Sequence, residues 1–226
     1  MILSIETSTE VCSVAIHKNG QLIDYIQNDE SYAHAEKLAP IIDQLLKSNT
    51  ISTGQLLAIA VASGPGSYTG LRIGISTAKG LCFALDIPLI EIATLESMLV
   101  GIDEKYADCL RCPMIDARRM EVYTLLAKAD GQLIEATHAK IIDNKSFSSQ
   151  LTEQKIVFYG NGAEKCKSVI TSKNAKFIDK ITPTAVNIGN LAFDKYKSGD
   201  FADLAYFEPG YLKEFKAIKA KNPLYE

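Results

Sequence analysis

The sequence predicts an α/β protein whose sheet is antiparallel at one edge, parallel beyond it and covered by helices. Residues 2–5, 11–18 and 21–27 read as three strands joined by tight turns. Leu38, Ile41, Ile42 and Leu45 then recur at the i, i+3, i+4, i+7 spacing of one helix face. From Ala58 to Met98 the pattern becomes apolar strand, glycine loop, long helix, apolar strand and a second helix start. The order is βββαβαβα.

Each element has a local cause. Asn19-Gly20 joins the second and third strands, and both positions tolerate the positive φ of a two-residue hairpin. The first helix covers about 34–47. The apolar run 59–63 feeds the loop Gly64-Pro65-Gly66-Ser67-Tyr68-Thr69-Gly70, a helix over 71–85, a strand over 87–92 and a helix starting at Thr94. From about Leu110 a second set begins: strands over 112–117 and 121–129, an Asp130-Gly131 turn, and a strand over 132–137. A helix near 145–151, a strand over 155–159, a Gly160-Asn161-Gly162 turn and a helix from about Ala163 follow. The last helix spans 184–197 with Pro183 near its start, and the tail carries Lys213, Lys216, Lys219 and Lys221. The second set echoes the first in architecture, with no residue-level repeat. The polar segment 101–108 is the best boundary, giving an N-terminal unit over 1–104 and a smaller one over 105–226; a return of the last helix to the first unit is left open.

A chain of 226 residues is ample for a real core. Its 47% hydrophobic and 23% charged residues are ordinary for a globular protein. A net charge of −3 argues against a strongly basic nucleic-acid surface, so a role near RNA would need another subunit to hold the RNA. No apolar run is long enough for a membrane span, and the first residues, Met1 to Glu6, lack a basic leader. Five cysteines at irregular spacing fit a reducing cytoplasm better than a disulfide framework.

The glycine loop carries two readings. Gly64, Gly66 and Gly70 free the backbone and let a ligand approach it at a positive helix end, where anions bind. The same loop is also a tight strand-to-helix turn capped by Ser67 or Thr69. It is not a P-loop, because Leu71-Arg72 follows Gly70 where a lysine and a hydroxyl residue would stand. The helix after it is apolar nearly all round, with Leu71, Ile75, Ala78, Cys82 and Leu85 on one face. Its other side needs cover from the 34–47 helix or from a partner chain. Glu6-Thr7-Ser8-Thr9 sets a carboxylate and three hydroxyls at a strand end, as a phosphate or magnesium-water site or as a polar turn. The three histidines, His17, His34 and His138, form no HxxxH pair, and no metal ligand set emerges. Cys109 and Cys112 form a lone CxxC at a strand entry, a weak metal or redox signal. Asp116 and Arg118 share a strand face by the period of two, and pair with each other or meet a partner or an anion.

The start Ile2-Leu3-Ser4-Ile5-Glu6-Thr7-Ser8-Thr9, the His34-Ala35-Glu36-Lys37-Leu38-Ala39-Pro40 helix, the Gly64 to Gly74 run, Asp116-Ala117-Arg118 and Pro209-Gly210-Tyr211-Leu212 resemble the TsaB (YeaZ) family. The resemblance covers nearly the whole chain and is strongest over 1–100. It implies a two-lobed actin-like, sugar-kinase-type (ribonuclease-H-like) ATPase fold and a part in making threonylcarbamoyladenosine in tRNA. It also implies a non-catalytic subunit in the cytoplasm that pairs with a paralogous metal- and nucleotide-binding subunit, TsaD, and is joined by a small ATPase, TsaE. In the family the helices matching 34–47 and 69–85 bundle with the partner, which puts His34, Leu38, Ile41, Ile42, Leu45, Leu71, Ile75, Ala78 and Cys82 at an interface; alone, the protein would form a homodimer through them.

The paralogue's HxxxH motif falls where this chain has Thr94-Leu95-Glu96-Ser97-Met98, and threonine and methionine are poor ligands for such a cation. No catalytic residue, metal or required cofactor is therefore expected. Weak ATP or ADP binding at Glu6, Gly64, Gly66, Ser67 and Gly70 stays open as a vestige. Many family members have Asp where Glu6 stands. Two other readings are weighed: an ATP-using kinase-like enzyme acting through the Gly64 loop and Glu6, and a metal-dependent glycoprotease.

Overall fold

The computed structural model describes residues 1–30 and 33–212, so the four tail lysines lie outside the described residues. Ile2–Glu6 (β1), Cys12–Lys18 (β2) and Gln21–Asn28 (β3) form an antiparallel meander. The Asn19-Gly20 turn has φ of 52° and 79°, the hairpin geometry its residues favour. Then come His34–Ser48 (α1), Ala58–Gly64 (β4), Tyr68–Leu85 (α2), Leu89–Ala93 (β5) and the single turn Thr94–Ser97 (α3). β4 runs parallel to β1 and β5 parallel to β4, giving a sheet of order β3-β2-β1-β4-β5.

The second sheet repeats this plan. Leu110–Asp116 (β6), Glu121–Ala127 (β7) and Leu133–Ile141 (β8) form its meander. Ser148–Glu153 (α4) leads to Ile156–Tyr159 (β9) and Ala175–Ile178 (β10). The order β8-β7-β6-β9-β10 matches the first sheet strand for strand, with β6 antiparallel to β7 and parallel to β9. The helix expected from Ala163 is instead a short 3-10 turn, Glu164–Cys166. β10 escaped the sequence because AKFI is too short and too polar to read as a strand.

Alternation on β1 and β4 divides the core. Leu3, Ile5, Ile59 and Val61 face α1 and α2. Ile2, Ala58, Ala60 and Ala62 face Ala185–Ser198 (α5), which packs on the first sheet although it follows β10 in the chain. The alanines let α5 lie close. Thr184 caps it by accepting from the Asn187 N–H at 3.2 Å, and the Ala185 N–H donates to Ser13 Oγ at 2.9 Å. Among the described residues no helix is long and apolar enough to cross a membrane.

The tightest point of this packing is Gly189, where a Cβ would lie 2.1 Å from the buried His17 ring. Burial also pushes the His17 pKa below its ordinary 6.5, so His17 takes up a proton less readily folded than unfolded, and its contribution to stability is lost as pH falls below that value. Gly189→Ala is expected to cost about 1–3 kcal/mol through overpacking. Urea unfolding checks this, and the cost should shrink in a His17→Ala background because the two sites share one contact.

Candidate functional site

The glycine loop and the end of β1 meet at the carboxyl edge of the parallel strands, where open α/β sheets place their ligands. β1 ends at Glu6, and Thr7-Ser8-Thr9 turns the chain toward β2. β4 ends at Gly64, whose φ is +109°, and Ser67 caps α2 by accepting from the Gly70 N–H at 3.2 Å. The capping expectation for Ser67 is met.

The two turns are fastened together. The Ser67 N–H donates to the Ser8 carbonyl at 2.6 Å. A Cβ on Gly66 would lie 2.3 Å from that same oxygen, and one on Gly70 would lie 2.1 Å from the Thr7 carbonyl oxygen. At Gly74 the obstacle is Thr7 Oγ1, at 2.2 Å. These glycines therefore admit the chain's own β1–β2 turn. Carbonyl oxygens, the negative ends of peptide dipoles, sit against the positive end of α2 in place of an outside anion. The sequence could not show this, because the turn and the helix are about sixty residues apart and meet only in the folded sheet.

Behind the turn lies an enclosed polar cluster. Glu6 and Thr7 are fully buried, Ser8 and Thr9 nearly so. Glu6 Oε1 accepts from the Ser8 N–H at 2.5 Å, while the hydroxyls of Ser4, Thr7, Thr9 and Thr94 find no partner among the described residues. Burial raises the Glu6 carboxyl to about 7, against the lowering effect of its hydrogen bonds to Ser8 and Thr7. A fully buried carboxyl, behind a turn whose own carbonyls face Gly66 and Gly70, does not fit a magnesium–nucleotide.

The position corresponding to the HxxxH motif is equally closed, since Thr94 and Met98 are both buried. Among the described residues no three His, Cys, Asp or Glu side chains gather as a metal site. All five cysteines are free and buried. Burial drives the Cys112 thiol to about 12, and Cys112 Sγ lies 3.2 Å from Thr124 Oγ1. Asp116 and Arg118 do not pair through their side chains. Arg118 leaves the strand at φ +68°, and Asp116 accepts from its backbone N–H at 2.8 Å and from the Lys165 ammonium.

The side chains expected at a partner interface all lie in the chain's own core. His34, Leu38, Ile41, Ile42 and Leu45 on α1, and Leu71, Ile75, Ala78 and Cys82 on α2, are each buried. The regular stripe that periodicity finds is the stripe a sheet attracts, and it leaves the other face of each helix outward. On α2 that face runs past Arg72 and Ser76 to Phe83, which is 82% exposed. His34 opens α1 without capping it, as the cap residue is Ala33.

Sequence reasoning also missed a strap. Ala202 pairs with Leu89 at the outer edge of β5. The chain then follows α2, where the Lys79 ammonium donates to the carbonyls of Ala205 and Phe207 at 3.2 and 3.1 Å. The Gly210 N–H reaches the Ser63 carbonyl at 2.7 Å, and Tyr211 stacks on Tyr68. The only signal was the Pro209-Gly210-Tyr211-Leu212 motif.

A family model for TsaD, tRNA N6-adenosine threonylcarbamoyltransferase, matches residues 28–208. The tRNA threonylcarbamoyladenosine biosynthesis protein TsaB of Haemophilus influenzae is 29% identical over 221 residues, spanning 94% of this chain and 93% of that one. TsaB of Buchnera aphidicola from Schizaphis graminum is 30% identical over 74% of this chain and 81% of its own. A Pseudomonas aeruginosa structure, described as an uncharacterized protein with similarity to peptidase YEAZ, superposes with a TM-score of 0.82 at 26% identity, covering 94% of this chain and 99% of that one. At the level of fold alone, the chain is similar to an activator of 2-hydroxyisocaproyl-CoA dehydratase from Clostridium difficile solved with ADPNP (TM-score 0.53, 11% identity, 88% of this chain and 96% of that one).

The Glu6 carboxyl gives the site a measurable signature. Its proton is held more tightly folded than unfolded, so the stability it contributes is present below the ordinary 4.5 and lost as pH rises through about 7. Glu6→Gln should remove that loss, raising stability at pH 8 over the unaltered protein by as much as about 3 kcal/mol, with little gain at pH 4.5. Chemical denaturation at the two pH values checks it.

Proposed function

The chain belongs to the TsaB (YeaZ) family, and from that premise we propose that it is a non-catalytic subunit that binds and activates a paralogous TsaD subunit and recruits a small TsaE ATPase. The family's place in tRNA threonylcarbamoyladenosine biosynthesis is this chain's place too. The observation that carries the subunit reading is the second face of α2. Its first face fills the core, yet Phe83 on the other stands 82% exposed, and aromatic side chains are enriched among the residues that carry most of the binding energy of protein interfaces.

Activation follows from differential binding. The chain would favour one lobe arrangement of the paralogue and so raise the population competent for transfer. In isolation, the same face would pair with its copy in an isologous dimer. The tRNA would be held through the paralogue, in keeping with a net charge of −3. No nucleotide is required of this chain in this reading. A kinase-like enzyme would need the Glu6 carboxylate open to magnesium–ATP, and Glu6 is fully buried behind the turn, while Gly66 and Gly70 face the Ser8 and Thr7 carbonyls.

Co-purification with the paralogue, followed by tRNA modification with and without this chain, tests the proposal. We expect a stable complex and modification only when both are present; a full rate without this chain overturns it. Phe83→Asp should weaken the complex at least about tenfold while changing unfolding stability by no more than about 0.5 kcal/mol, as for an exposed site.

A further inference from the structure

One exposed cation on α2 is held by two tyrosines. The Arg72 guanidinium carbon lies 3.9 Å from the centre of the Tyr68 ring. Arg72 Nε donates to the Tyr211 hydroxyl at 3.1 Å, and Nη2 donates to the Tyr68 hydroxyl. The two tyrosine rings stack with centres 4.6 Å apart. Tyr211 reaches this position only because the strap is fixed upstream, at Lys79 and at the Ser63 carbonyl. Three further N–H groups of the guanidinium make no hydrogen bond among the described residues, and Arg72 is in no ion pair there. A flexible surface arginine normally loses side-chain entropy when it binds; here that cost is met in the free protein by two aromatic rings.

We propose that Arg72, positioned by Tyr68 and Tyr211, is the charged anchor of this chain's docking face and takes a carboxylate of the partner subunit. This rests on the subunit reading above and adds the chemistry of the contact. A planar guanidinium fixed in orientation matches a carboxylate in bidentate fashion. The surroundings favour a protein over an RNA phosphate. Arg72 and Lys79 are the basic residues of α2, and Lys79 is engaged by strap carbonyls. Phosphate-backbone binding draws on several cations together. Tyr211 is a positioning residue, and its effect passes through Arg72.

The test uses the full chain and its TsaD-like partner, with affinity measured by calorimetry at low and moderate salt. Arg72→Gln should weaken binding at least about tenfold and flatten its salt dependence. Tyr211→Phe, which keeps the ring and removes only the hydroxyl, should weaken it several-fold. Combined with Arg72→Gln it should add nothing, because the two act through one contact. Thermal unfolding of both variants should stay near that of the unaltered protein. Arg72→Gln binding as tightly as the unaltered protein overturns the proposal, as does a Tyr211→Phe loss that persists when Arg72→Gln is already present. Loss of tRNA binding by the isolated chain on Arg72→Gln, with partner affinity intact, would assign the guanidinium to phosphate and overturn it as well. Failure of the unaltered chain to bind the partner would instead remove the subunit reading, and this inference with it.

Discussion

The contact on which the site depends is the seating of the β1–β2 turn against the first turns of α2. Two carbonyl oxygens, of Thr7 and Ser8, occupy the space beside Gly70 and Gly66. The Ser67 N–H is tied to one of them. This arrangement has three consequences. It demands glycine at positions where any Cβ would strike backbone, a clash that side-chain rearrangement cannot relieve. It neutralises the positive helix end from within the chain. It also roofs Glu6, whose carboxyl is then driven up by burial. A ligand-binding loop and a self-packed loop share the same glycines; what separates them is which atoms fill the space above.

The duplicated sheets make the asymmetry between the two halves informative. Strand order and direction agree in both, so one fold plan serves twice. Between β4 and β5 the first half inserts the long helix α2, whereas between β9 and β10 the second has only the turn Glu164–Cys166. α5 follows the second sheet in the chain but covers the first, filling the alanine face of β4. The first sheet is thus covered on both sides, and its outer layer on one side is the helix pair α1 and α2 that the proposed partner would meet.

What the sequence made legible was local. The Asn19-Gly20 hairpin, the Ser67 cap and the α1 periodicity each depend on residues a few positions apart, and each forms as expected. The meander followed by parallel strands was legible too, because tight turns and glycine loops punctuate it. What failed was non-local. The partners of Gly66 and Gly70 come from β1, and the ion pair of Asp116 comes from Lys165, beyond β9. The period-of-two argument for Asp116 and Arg118 broke because the strand had already ended at a residue with positive φ. The strap left little trace, since it is held by backbone carbonyls and by stacking of its Tyr211.

The α2 helix shows how apolar periodicity singles out the core face of a helix and passes over the other. Cys82 and Phe83 are neighbours in sequence, yet the first is wholly buried and the second 82% exposed. A step of one residue turns a helix by about 100°, enough to pass from the core to the surface. The cleaner stripe, Leu71–Ile75–Ala78–Cys82, packs on the sheet because burying it there fixes the fold in every molecule, bound or free. A docking face has the opposite requirement: it must be tolerated in water until its partner arrives. Such a face mixes a large ring with small and charged side chains and gives a weaker periodic signal; the exposed face of α2, with Phe83, Ser76 and Arg72, has that composition. In a helix that serves both a core and a partner, the faint stripe is the one to read for function.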